Sequence, residues 1–106
     1  MNIEILYIPG CPNLGSTVGE VYNALSLDGL AHEVNLIPVE SIEMARQLAF
    51  VGSPSVRVNG IGIEPDADRT KEGAMGCRVY RQENGKLAGV PTYAMLSEVF
   101  KKTVGG

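Results

Sequence analysis

Residues 2–8, Asn-Ile-Glu-Ile-Leu-Tyr-Ile, form a nearly unbroken apolar and β-branched run. Such a run suits a strand buried on both faces. From Leu14 the apolar positions Val18, Val21, Tyr22 and Leu25 recur at helical spacing, and Gly29 follows as a stop, which predicts a helix of about four turns. Residues 32–39 alternate around Val34 and Leu36 and read as a second strand. Ser41 then caps a short helix with Met44, Ala45 and Leu48 on its inner face. Within 51–60, Pro54 opens a third strand and Asn59-Gly60 marks its end. Residues 61–76 show no clear period and read as a long connection. Residues 77–81 form a short fourth strand, 83–85 a turn, and Pro91-Thr92 leads into a final helix with Tyr93, Leu96, Val99 and Phe100 inward. The expected order is β-α-β-α-β-β-α around a central mixed sheet of about four strands. No repeat, low-complexity stretch or linker interrupts it, so residues 1–106 read as one domain. Strands 1 and 2 should be parallel, joined by the first helix in a right-handed crossover.

Composition narrows the partners rather than the fold. The chain is 44% hydrophobic and 20% charged with a formal charge of −3, and its pI is near 5.0. An acidic balance argues against nucleic acid and anionic membrane, both of which favour a basic face. No apolar run approaches the ~20 residues a membrane span needs, and the N-terminus enters a strand pattern without a basic and apolar leader. A cytoplasmic location is the expectation.

Candidate chemistry concentrates at "YIPGCPNLGST", residues 7–17, where a strand ends at Gly10, Cys11 and Pro12 and a helical pattern follows. Cys77 is the second of two cysteines, their spacing fits no zinc site, and His32 is the sole histidine. No cofactor or metal is expected. With Pro12 at the first helical position, the free N–H groups of Asn13, Leu14 and Gly15 would face the Cys11 sulfur. The positive end of a helix favours thiolate over thiol.

Cys11 after strand 1 and Pro54 at the start of strand 3, in this order of elements, resemble the thioredoxin fold along nearly the whole chain. More narrowly, "GCPN", "VGSPSVRVNG", "GCRVYR" and "GVPT" are similar to segments of small bacterial thioredoxin-like proteins related to the C-terminal part of alkylmercury lyases. The resemblance implies a cis Ser53-Pro54 bond, affordable because the preceding residue is joined to proline, and a proline set against the active thiol. It implies that Ser53 leaves its backbone open for antiparallel pairing with an extended substrate. Pro12, Ser53, Pro54 and Val90 are the implied substrate-binding residues, with Cys11 and Cys77 as the reacting thiols. Two positions depart from these families. Leu14 stands where the dithiol proteins have their resolving cysteine and the lyases a catalytic aspartate, and Ile5 replaces a buried acid of strand 1. The lyases' N-terminal helical region has no counterpart in the chain.

Two function classes follow. In the first, Cys11 is a nucleophile for disulfides or a ligand for soft metals such as mercury, acting on a protein or small-molecule thiol or disulfide, with Cys77 as resolving thiol or second ligand. A simple hairpin would leave Cys77 at the far end of the sheet as a buried structural cysteine, the favoured reading, whereas a connection bent across the site would bring it close. In the second, the chain is a non-catalytic binding module using the surface around Pro12, Pro54 and Val90, and Cys11 is a remnant. Among the remaining features, His32 reads as a solvated surface residue and Asp66, Asp68 and Glu72 as a solvated acidic loop rather than a calcium site. Arg57, Arg78 and Arg81 could gather around an oxyanion, as in thioredoxin-like arsenate reductases, but read rather as an exposed sheet face, and the terminal Val-Gly-Gly as a frayed end.

Overall fold

A computed structural model describes residues 1–64 and 76–105. The long 61–76 connection falls largely outside the described residues, as do Asp66, Asp68 and Glu72. The elements are β1 (Ile3–Tyr7), α1 (Leu14–Leu27), β2 (Val34–Pro38), α2 (Ile42–Gln47), β3 (Ser55–Val58), β4 (Ile61–Gly62), β5 (Tyr80–Arg81), β6 (Leu87–Ala88) and α3 (Tyr93–Gly105). The architecture is α/β, with a mixed sheet of order β2-β1-β3-β4. β1 pairs parallel with β2, as the α1 connection predicts, and antiparallel with β3.

The fourth strand of this sheet differs from the one expected. Asn59 and Gly60 both adopt positive φ, 53° and 82°, the backbone of a type I′ turn. The chain therefore reverses at once, and β4 pairs antiparallel with β3 through Val58↔Ile61 and Arg57↔Gly62. Residues 77–81 do not join that sheet along their length. Tyr80 and Arg81 pair with Ala88 and Leu87 in a separate two-stranded sheet.

β1 has the double burial that its composition predicts. Ile3 and Ile5 project into a core with Val56, Val58, Val21, Ala24, Leu25, Leu96 and Phe100. Leu6, pointing the other way by the strand's two-residue period, joins Val39, Ala45 and Phe50 under α2. The sheet thus separates a layer of α1 and α3 from a layer containing α2. α2 starts where Ser41 Oγ accepts from the Met44 N–H at 3.1 Å. α1 ends at Gly29, whose φ of +70° lets Leu30 N–H reach back to the Leu25 carbonyl at 2.8 Å. No helix among the described residues is long and apolar enough to cross a membrane.

Asp28 clasps α1 to α3. Tyr93 O–H donates to its Oδ1 at 2.6 Å and Ser97 O–H to its Oδ2 at 2.7 Å. These bonds, the Tyr93 bond foremost, hold the Asp28 carboxyl below its ordinary 3.8 against the opposing effect of desolvation, with a lesser lowering from Lys101. A carboxyl pKa depressed by folding stabilises the native state above the unfolded value, and that contribution fades as pH falls through the folded value. Between neutral pH and about pH 3, the wild type should therefore lose more stability than Asp28→Asn. Urea denaturation across that range checks this, and parallel curves would contradict the clasp.

Candidate functional site

Two consecutive proline-led turns set the position of Cys11. Cys11 N–H donates to the Ile8 carbonyl at 2.9 Å, with Pro9 second in the turn and Gly10 third at φ +87°, the arrangement of a type II turn. Leu14 N–H then donates to the Cys11 carbonyl at 3.3 Å. Pro12 is second in that turn, and Asn13 at φ −98°, ψ 1° takes the third place of a type I turn. Pro12 is accordingly not the first helical residue. Asn13 is the N-cap and the helix begins at Leu14, so Cys11 lies two residues before the cap and the Leu14 amide is already engaged. Cys11 is half-buried and Pro12 exposed.

The loop before α3 closes over this end of α1. A Cβ on Gly89 would overlap the Asn13 side-chain amide as it stands, so the loop and the helix start are in close contact, and half-buried Val90 follows in the chain. One turn into α1, Thr17 is fully buried, and its hydroxyl has no hydrogen-bond partner among the described residues. Leu14 packs against the α1/α3 core and Ile8 against the α2 core. The Cys11 turns therefore span the end of the sheet between its two layers.

Ser53 ties the two cysteine segments together. Its Oγ accepts from the Ile8 N–H at 3.0 Å. Its N–H donates to the Gly76 carbonyl at 2.7 Å and its carbonyl accepts from Arg78 N–H at 3.1 Å, forming an isolated parallel bridge between Ser53 and Cys77. The segment carrying Cys77 thus crosses to the Ser53-Pro54 corner instead of starting at the far end of the sheet. Both cysteines are free thiols, with Cys77 the more exposed.

The Ser53-Pro54 bond is cis, as expected, yet the corner is closed. Ser53 is 1% exposed, and both of its main-chain groups are taken by residues 76 and 78 of the same chain, so it offers no open backbone to a substrate. Pro54 is fully buried and presents no docking surface. Tyr80 O–H donates to the Pro54 carbonyl at 2.6 Å and accepts from Val56 N–H at 3.3 Å. Tyr80→Phe removes a donor and an acceptor in a buried setting and should lower stability by roughly 1–3 kcal/mol. Chemical denaturation measures this, and a loss below about 0.5 kcal/mol would contradict the bracing role.

Arg78 departs from the expected exposed arginine face. It is buried, at 4% exposure. Nη2 bonds Glu64 Oε1 at 2.8 Å, Nη1 lies 3.4 Å from Ser55 Oγ, and the guanidinium sits 4.2 Å over the Tyr80 ring. Glu64 Oε2 also accepts from Arg81 N–H at 3.2 Å. Arg57 instead turns to the Ala49 carbonyl at 3.0 Å, so the three arginines do not converge. His32 is half-buried near the start of β2, across the chain's fold from the β1–α1 turns. Among the described residues, no group of three or more His, Cys, Asp or Glu side chains is placed to hold a metal ion. α3 continues through Gly105, so the first glycine of the terminal pair is helical.

No protein-family model, curated protein or solved structure matches the chain. The site is thus defined by its own geometry. Glu64, Tyr80 and Thr17 are not among the candidates that the sequence suggests, and Arg78 enters there only with an exposed arginine face. The Pro9-Gly10 dipeptide was the available signal for the first turn.

Proposed function

We propose that this chain is a thioredoxin-like thiol protein in which Cys11 attacks small or protein-borne disulfides and Cys77 serves as the second thiol. The observation that carries this reading is the double engagement of Ser53, whose hydroxyl holds Ile8 of the Cys11 turn while its main chain bridges Cys77. Leu14 supplies no resolving thiol, and Cys77 is the remaining cysteine. Cys11 itself lies half-buried in the turn that leads into α1, with exposed Gly10 and Pro12 on either side. The same two soft sulfur donors suit a soft cation such as mercury(II).

In the first step, the Cys11 thiolate attacks one sulfur of a disulfide R–S–S–R. The S–S bond breaks, RS⁻ leaves and takes a proton from water, and Cys11 is oxidised to a mixed disulfide. The Cys77 thiolate then attacks the Cys11 sulfur, releasing the second RS⁻ and leaving a Cys11–Cys77 disulfide. The experiment treats the reduced protein with hydroxyethyl disulfide and follows mass. The wild type should lose two hydrogens and retain no adduct, while Cys77→Ser should stop at a single adduct on Cys11. Two stable adducts on the wild type would sink the pairing, and no adduct on Cys11 would sink the thiol reading itself.

A further inference from the structure

We propose that Gly76–Arg78 is a resident occupant of the Ser53 main chain, the groups that an extended polypeptide beside the Cys11 turn would use, and that it restricts Cys11 to small disulfides. The proposal rests on the thiol reading above and assigns its substrate class. A peptide strand docking beside Cys11 would pair with the N–H and carbonyl of Ser53, since main-chain hydrogen bonds supply the affinity of strand addition. Both groups are already satisfied, by the Gly76 carbonyl at 2.7 Å and the Arg78 N–H at 3.1 Å. Parallel or antiparallel, an incoming strand needs the same two atoms, so it must first displace this segment.

Arg78 makes displacement difficult. Its side chain is buried, bonded to Glu64 and stacked over Tyr80, and Tyr80 is itself bonded to the Pro54 carbonyl. Pulling the segment away would strip half-buried Glu64 of its cationic partner, and leaving one charge of a partly buried ion pair uncompensated is unfavourable. Gly52 fits the segment from the other direction. At φ +118° it brings its α-carbon so near Arg78 that a Cβ would stand 2.8 Å from the Arg78 Cβ. The Ser53 main chain is therefore occupied by a segment anchored on three residues. A small disulfide needs only Cys11, which is half-buried between exposed Gly10 and Pro12, and has no need of Ser53. Arg78 is on this view a positioning residue that acts through the segment it holds.

The test compares rates of thiol release from hydroxyethyl disulfide and from a short unstructured peptide whose cysteine is capped by the same small thiol. Glutathione supplies the reference ratio of peptide to small-disulfide rates. In Cys77→Ser protein, Cys11 should show a ratio no greater than that of glutathione. Adding Arg78→Ala should raise the ratio by about tenfold, the gain expected from one net main-chain hydrogen bond or more. Glu64→Gln, which weakens the anchor without removing Arg78, should raise it by a smaller factor. Amide exchange on the wild type is independent of any variant's folding, and the Arg78 amide should be protected. A wild-type ratio above that of glutathione, an unchanged ratio in both variants, or an Arg78 amide that exchanges freely would each overturn the proposal. Should Cys11 react with neither disulfide faster than glutathione while the Arg78 amide stays protected, the thiol reading fails and the occupied Ser53 main chain stands.

Discussion

Gly52→Ala is expected to lower the unfolding free energy by roughly 2–5 kcal/mol, a large fraction of the stability of a small domain. Two independent effects add. At φ +118° the backbone of residue 52 lies in a region that side chains with a Cβ rarely adopt. In addition, a Cβ would meet the Arg78 Cβ at 2.8 Å and its backbone nitrogen at 3.3 Å. Arg78 cannot retreat without loosening its bond to Glu64 and its seat over Tyr80. Gly60→Ala provides the comparison, because φ there is +82° but a Cβ would meet open space. That variant should lose only the backbone component, about 1–2 kcal/mol. Denaturant titration of the two variants measures the difference. Equal losses would mean that the 76–78 segment yields freely at Gly52 and is not firmly seated.

Cys11→Ser is expected to remove every product formed at residue 11 while leaving the fold intact. The main-chain bonds that shape the turns, from Cys11 N–H to Ile8 and from Leu14 N–H to the Cys11 carbonyl, do not involve the sulfur. The half-buried site tolerates an oxygen of similar size, so stability should change by no more than about 0.5–1 kcal/mol. A serine hydroxyl neither ionises near neutral pH nor forms a disulfide, so the remaining reaction is that of Cys77 alone. Thiol release should fall from two equivalents ending in an intramolecular disulfide to one equivalent ending in a Cys77 adduct. Mass spectrometry separates these products. If Cys11→Ser still produced wild-type release kinetics, the chemistry would belong to Cys77.

The sequence carried the frame of this fold through local periodicity. β1 is apolar on both faces because both cores need it, and its run of Ile3, Ile5 and Leu6 declares as much. The α1 stop at Gly29, the α2 cap at Ser41 and the inward Leu96 and Phe100 of α3 each follow from a residue's own chemistry at a fixed spacing. Asn59-Gly60 was legible as an end but was also a hairpin signal, and a strand as short as Ile61–Gly62 leaves no period to detect. Arg78 was misread for a different reason. Charge predicts exposure unless a partner is present, and its ionic partner Glu64 stands 14 positions earlier and is brought to it only by the fold, although Tyr80 is two residues away. The bridge from Ser53 to Cys77 is likewise non-local, linking residues 24 positions apart through main-chain atoms that no side-chain pattern encodes. Pro12 lies two residues outside the helix that it was expected to open, because its fixed φ suits both a first helical residue and the second place of a type I turn.

Competition between the two cysteines for a limiting amount of hydroxyethyl disulfide, read at each residue by peptide mass mapping at neutral pH, tests the thiol reading most directly. Cys77 is exposed and Cys11 only half-buried, so access alone favours Cys77. If Cys11 is the attacking thiol that order reverses, and Cys11 should take the first adduct at least about tenfold faster. Initial labelling at Cys77, or equal labelling at both, would contradict a working thiol at Cys11.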